Sequence, residues 1–435
     1  MKLPGESRAA AIFSGRLRSA LVLLILVFCS GNAIAADRTV VVVLFDGFAP
    51  SMMSAAATPN FDRIRREGVW SDHLVPVFPT VSFPNHTTFA TGCWPARHGI
   101  VGNVFFDPER GKYLYSRDAD WLTECETMWQ AAERQGARSA VFGFIARKSE
   151  TRGALASRID TQTRWEKRGS DMARARKALR LLKKPQAVRP ALIALYLKGP
   201  DKVAHFNGTL APETLAAVEE SDDVVGMLMD AIAALPPDRA TSLVIGTDHG
   251  MMDVGPLVNI GRIVNRHDIK GHIAAFGAST YFYLDKDESA DRVAKALSGY
   301  GDIFTLYRKG EYPAYAHIGG SRSGDLMIVA RPPYWIEGPE ALPDYAELLG
   351  IASFWPSTFT PLIGGAKATH GYDPNIPDMH GIFYAWGSGI AVGREIEKLD
   401  MIDIHPTVMA LLGLEPGKPV DGKIVKEVLA QEADE

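Results

Sequence analysis

Six consecutive apolar residues, Val40 to Phe45, are followed at once by an acid, Asp46. A run that is apolar at every position, and mostly β-branched, fits a strand covered on both faces. Such strands belong to parallel sheets flanked by helices, and the pattern recurs at Ser139–Phe144, Pro190–Leu197 and Ser242–Gly246. Helically spaced segments lie between them, at Phe61 to Glu67, Leu122 to Gln135, Met172 to Lys184 and Pro212 to Ala234. This alternation up to about residue 250 predicts an α/β fold with a mostly parallel sheet sandwiched by helices.

From residue 262 to 360 the rhythm changes. Shorter strands appear, Thr280–Leu284 and Asp325–Ala330, among turns and aromatics (Tyr312, Tyr315, Trp335, Trp355). This stretch reads as a smaller α+β cap inserted into a core made of residues 36–261 and 361–435. Gly381–Trp386 returns to a core strand, and Ile402 to Leu412 is a closing helix with Pro406 in its first turn.

The first 35 residues are excluded from the fold. Arg8, Arg16 and Arg18 precede the apolar run Ala20 to Phe28, and Ala33-Ile34-Ala35 supplies small residues for cleavage, the order of a secretory leader. The run is short for a bilayer span, so no stable membrane anchor is expected and the chain reads as periplasmic or secreted. Two cysteines then remain, Cys93 and Cys125; an exported chain can oxidise them, and whether they pair depends on their separation in space. A net charge of -4 gives no basic coat for a nucleic-acid polymer. The basic residues of 172–184, Arg174 among them, read as a solvated helix face.

Four places set Asp or His beside an apolar strand. Asp46 follows the first, Asp201 and His205 follow the third, Asp248 and His249 follow the fourth, and His370 precedes the Gly381 strand. The carboxyl ends of parallel strands share one edge of a sheet, where ligand sites form. Acids and imidazoles gathered there repel or stay unsatisfied unless a cation joins them. Asp201 and His205 fall on one face of a helical turn, and Gly250 supplies the bend that lets adjacent Asp248 and His249 reach one ion. Ser82, in Pro79-Thr-Val-Ser-Phe-Pro-Asn-His86, stands before a short helix ended by Gly92. A hydroxyl there is either a helix cap or a nucleophile. Six ligands and one hydroxyl suit two metal ions about 4 Å apart; zinc, manganese and iron all accept such donors.

In this order the pieces VVVLFDGF, PTVSFPNHTTFATGCWPARHGIVGN, RPALIALYLKGPDKVAHFNG, VIGTDHGM, ATHGYDP and IDIHPTVMALLGL resemble the alkaline phosphatase superfamily, and within it the nucleotide pyrophosphatase/phosphodiesterase family. The resemblance covers about residues 40 to 415. It implies two Zn2+ ions per chain, one held by Asp46, Asp248 and His249 beside the nucleophile Ser82, the other by Asp201, His205 and His370. It implies that Asn103 donates to a phosphoryl oxygen and that Phe83 packs on the substrate's base or leaving group. The family most often has Thr where Ser82 stands and Gly where Ala204 stands. Thr80 is a second hydroxyl in reach of the motif, His380 a second histidine near His370, and Trp165 a candidate second aromatic.

The implied chemistry is a covalent phospho-Ser82 intermediate on a small-molecule phosphodiester or nucleotide. An apolar wall suits a diester, whereas a cation against the extra phosphoryl charge suits a monoester; Phe83 favours the wall. A monoesterase, a lipid-headgroup diesterase of the same fold, and a non-catalytic metal-holding protein are the competing readings.

Overall fold

The structure is a computed structural model and describes residues 38–160, 170–338, 354–355 and 366–431. The leader of residues 1–35 and Trp165 lie outside the described residues, as does part of the stretch read as the cap.

The elements that matter for the site are, in chain order, β1 (Thr39–Phe45), α1 (Pro59–Glu67), β2 (Val69–Val75), α2 (Ser82–Thr91), β3 (Ser139–Phe142), β4 (Leu192–Leu197), α3 (Asp201–Asn207), α4 (Pro212–Ala233), β5 (Thr241–Thr247), β6 (Gly381–Gly387) and α5 (Ile404–Leu411). Among the described residues their strands belong to a nine-stranded sheet in which β2, β6, β5, β1, β4 and β3 are successive neighbours. β1 pairs in parallel with both β4 and β5, and β3 in parallel with β4. β6 runs antiparallel to its neighbours β5 and β2. The fold is therefore α/β with a mostly parallel sheet, as the apolar runs predict.

β1 shows why those runs are apolar throughout. Val40, Val42 and Leu44 feed one core, with Phe89 and Ala90 of α2. Val41, Val43 and Phe45 feed the opposite core, with Val225, Leu228 and Met229 of α4. Burying each such side chain contributes about 1.5–3 kcal/mol, so a polar residue on either face is costly. The register sets Phe45 level with Leu197 and with Thr247. Asp46, Lys198 and Asp248 therefore leave the sheet side by side.

Several local expectations differ. The helix expected from Leu122 spans Met128–Arg134, because Thr127 and Gln130 form a capping box that starts it there. β2 escapes the sequence pattern because a register shift between Ser71 and Leu74 breaks its alternation. Within the stretch read as loop, Pro95–His98 forms one helical turn. Arg174 is not on a solvated face: it is buried, and its guanidinium donates to the Tyr196 carbonyl at 2.6 Å.

Residues 271–330 carry a separate four-stranded antiparallel sheet with its own core. It is fastened to the loop before and after Asn103: the Tyr281 hydroxyl donates to the Val101 carbonyl at 2.8 Å, and Arg322 pairs with Asp107 at 2.6 Å. Cys93, just past α2, is disulfide-bonded to Cys125, which ties down the same loop from the other side. No helix among the described residues is long and apolar enough to cross a membrane.

Candidate active site

The site forms where β1, β4 and β5 end. Asp46 leaves β1, Asp248 and His249 leave β5, and Asp201 opens α3 four residues past the end of β4. Two glycines let these ends approach. A Cβ on Gly47, which has φ +65°, would lie 2.6 Å from the Asp201 Cβ. Gly250 works differently from the bend expected of it. It lacks a left-handed φ, and a Cβ there would lie 2.2 Å from the Asp378 carbonyl oxygen. Its role is to let the β5 loop pass against residues 378–380.

The six predicted ligands fall into two groups, Asp46, Asp248 and His249, and Asp201, His205 and His370, with ligand atoms in each group within 4.8 Å of one another. His249 Nε2 is 3.5 Å from Asp46 Oδ1 and 3.4 Å from Asp248 Oδ2. Asp201 Oδ1 is 3.4 Å from His205 Nε2 and 3.7 Å from His370 Nε2.

Each of the three imidazoles is oriented by a main-chain carbonyl at its Nδ1: His205 by Ala368 at 2.7 Å, His249 by Gly250 at 2.9 Å and His370 by Thr80 at 2.8 Å. A carbonyl only accepts, so Nδ1 carries the proton and Nε2 turns a lone pair toward the acids. This is how metal-binding histidines are commonly held. Two of the acids meanwhile keep a buried oxygen with no hydrogen-bond partner among the described residues, Asp46 Oδ1 and Asp201 Oδ1. Unpartnered carboxylate oxygens facing imidazole lone pairs are what a divalent cation satisfies.

The electrostatics agree. Burial, then the charges of Asp248 and Asp201, push the Asp46 carboxyl well above its ordinary range. Burial pushes Asp248 up to about 8, despite N–H groups from Gly47 and His249 on its Oδ1. Burial also acts to raise Asp201, but His205, His370 and His249 outweigh it and hold that carboxyl low. Burial depresses His249 to about 4. Three acids crowded without a cation cannot all ionise; with one they can.

Ser82 is the first residue of α2, whose cap position is Val81, so its hydroxyl is not occupied as a helix cap. Its Oγ lies 3.4 Å from His249 Nε2. A lone Ser–His contact suits general-base activation, but this Nε2 also faces two carboxylates, which is a ligand's position. Thr80, the other hydroxyl, is committed elsewhere, donating to the Tyr372 carbonyl at 3.1 Å and accepting from the Gly371 N–H at 2.9 Å. His380 is likewise engaged apart from the cluster, with His73 and the Pro374 carbonyl.

A cavity of about 370 Å³ opens beside Ser82 and is lined by Phe83 and Asn103. Asn103 Oδ1 accepts from the Phe83 N–H at 2.9 Å, which leaves its amide N–H groups as donors. Five further lining residues escaped the sequence reading: His86, Tyr115, Arg117, Ile145 and Tyr196. His86 contacts Asp248 Oδ2 at 3.2 Å, and the Tyr196 hydroxyl donates to Asp46 Oδ2. Both were open to discovery, since His86 is one helical turn from Ser82 and Tyr196 is the last β4 residue on the α2 face. Tyr115 meets Phe83 edge-on, ring centres 5.7 Å apart.

Comparison with known proteins places this arrangement in context. The family model described as type I phosphodiesterase / nucleotide pyrophosphatase matches residues 40–373. An uncharacterised pyrophosphatase/phosphodiesterase of Schizosaccharomyces pombe is 27% identical over 89% of this chain and 79% of its own. Human ectonucleotide pyrophosphatase/phosphodiesterase family member 7 is 26% identical over 87% of this chain and 81% of its own. Other relatives are much longer, and the chain spans 39% of human family member 1. Among solved structures, murine ectonucleotide pyrophosphatase/phosphodiesterase 5 shares the fold with a TM-score of 0.76 and 23% identity, covering 90% of this chain and 100% of that one. The chain belongs to the type I phosphodiesterase / nucleotide pyrophosphatase family.

Proposed function

We propose that the chain is an exported two-zinc hydrolase that cleaves phosphodiester or pyrophosphate bonds through a covalent phospho-Ser82 intermediate. The observation that carries this is the Ser82 hydroxyl 3.4 Å from His249 Nε2, beside acids with unpartnered buried oxygens. Asp46, Asp248 and His249 would hold one ion, and Asp201, His205 and His370 the other. Bound there, the ions supply positive charge that lowers the Ser82 pKa and offsets charge developing on the phosphoryl group.

The chain's own residues do the rest. Ser82 Oγ attacks phosphorus in line; its bond to phosphorus forms as the bond to the leaving oxygen breaks, and its proton passes to solvent. Water then breaks the phosphoserine ester and Ser82 regains a proton. The open N-terminus of α2 favours negative charge at Ser82 throughout. Asn103 N–H groups donate to a phosphoryl oxygen, where pre-set donors are most effective. Phe83 gives the diester's second substituent an apolar wall. Residues 262–360 act as a cap inserted into the core. The leader pattern and the Cys93–Cys125 disulfide support export to an oxidising compartment.

A second reading, phosphomonoester hydrolysis, would need a cation against the scissile phosphoryl group; Arg117, in the same cavity, is anchored on the Gly143 carbonyl at the β3 end instead. Turnover of p-nitrophenyl phosphate, bis-p-nitrophenyl phosphate and thymidine 5′-monophosphate p-nitrophenyl ester by zinc-loaded protein separates the two. Faster turnover of the plain monoester rejects the diesterase reading.

A further inference from the structure

The cavity beside Ser82 extends along the sheet edge toward a group of arginines. Arg117 lines it, and its Nη1 donates to the Gly143 carbonyl at 2.9 Å, just past the end of β3. Arg147 donates to the neighbouring Phe144 carbonyl at 2.6 Å, and Arg174 to the Tyr196 carbonyl at the end of β4. Arg147 and Arg174 are buried, at 5% and 9% exposure, and Arg147 Nε has no hydrogen-bond partner among the described residues. Their charges bear on Arg117: burial, then Arg147, with Arg174 further down, lowers its pKa to about 10. Acids sit among them, Asp160 acting on Arg147 and Asp171 beside Arg174, and Arg117 is the member of the group that lines the cavity, where an anion would meet it.

The strand order fixes where such an anion sits. β4 separates β1 from β3. Neighbouring strands are about 4.8 Å apart, so the β3 end, where Arg117 is anchored, lies roughly 10 Å along the edge from Asp46. That separation places Arg117 away from the scissile phosphorus and toward the far end of a bound substrate. Between the two, Phe83 and the edge-on Tyr115 provide apolar walls for an organic group. Tyr115, at a bend with a φ of +46°, and Arg117 both line the cavity.

We propose that Arg117, backed by Arg147 and Arg174, forms an anion subsite that selects substrates carrying a second phosphate on the organic group held against Phe83. This rests on the diesterase reading of Ser82 and narrows its substrate class. Arg117 is a specificity-determining residue rather than a catalytic one.

The test is calorimetric, on metal-loaded protein, with a nucleoside 5′-monophosphate and the matching 3′,5′-bisphosphate as probes. The wild type is expected to bind the bisphosphate at least 10-fold more tightly, with the preference falling as salt rises. Arg117→Gln is expected to bring the ratio of the two dissociation constants near 1, and Arg117→Lys to keep most of it. The lysine variant separates charge recognition from mere support of the fold. Equal binding of both probes by wild type, or an unchanged ratio in Arg117→Gln, overturns the subsite and leaves the diesterase reading standing. Failure of wild type to bind either probe overturns both.

Discussion

The hydroxyl oxygen of Ser82 and Nε2 of His249 are 3.4 Å apart, although 167 residues separate them in the chain. The contact exists because α2 starts where β5 ends. It makes Ser82 the one hydroxyl of its motif that borders both the ligand cluster and the cavity.

Ser82→Ala is therefore expected to lower turnover of thymidine 5′-monophosphate p-nitrophenyl ester by about 10³-fold or more, as loss of a nucleophile does. Bound metal, measured by elemental analysis, is expected to stay at two per chain. Undiminished hydrolysis by the variant removes Ser82 from the mechanism.

Removing the cations should abolish activity and loosen the fold together. Dialysis against a chelator is expected to lower the melting temperature, because ions that bind only the folded chain stabilise it. Zinc should restore both properties. His370→Ala is expected to bind about one ion fewer; retention of two rejects the assignment of His370 as a ligand.

The main-chain geometry at Gly47 gives an independent prediction. Gly47→Ala meets both a φ of +65° and a 2.6 Å approach to the Asp201 Cβ. A strained position of this kind costs about 1–3 kcal/mol. The variant should lose stability and bind zinc less tightly, since the ends of β1 and α3 must part. Zinc affinity measured by competition with a chromophoric chelator checks it.

Acid sensitivity follows from a histidine outside the Asp and His cluster. His405 is fully buried; its Nδ1 donates to the Ala90 carbonyl and its Nε2 accepts from the Gly417 N–H. Both nitrogens are thus used by the neutral ring, and burial depresses its pKa to about 4. The unfolded chain protonates this group near pH 6.5. The contribution is present in full above that value and is lost as pH falls toward 4, at up to about 1.4 kcal/mol per pH unit. Urea midpoints between pH 7 and pH 4 should fall less steeply in His405→Gln than in wild type; equal slopes reject the idea.

Much of this was open to reading in the chain. A strand buried on both faces is apolar at every position, so β1, β4 and β5 announce themselves, and the acids that follow mark their ends. Asp201 and His205 were visible as one helical turn. What stayed hidden depends on neighbours remote in sequence. Arg174 looks like part of a solvated face until the Tyr196 carbonyl receives it. Gly250 looks like a hinge until residues 378–380 pass beside it. His86 and Tyr196 look like core aromatics, and only the convergence of β1, β4 and α2 turns them toward Asp248 and Asp46.

The imidazoles of His205, His249 and His370 lean on the carbonyls of Ala368, Gly250 and Thr80, groups that every amino acid carries. Exchanging a side chain at position 80 or 368 cannot delete the acceptor. Only a shift of the peptide itself can. The orientation of His370 and His205 is thereby insulated from loss of a side-chain acceptor, whereas at Gly250 any Cβ would meet the Asp378 carbonyl oxygen at 2.2 Å and move the peptide that holds His249.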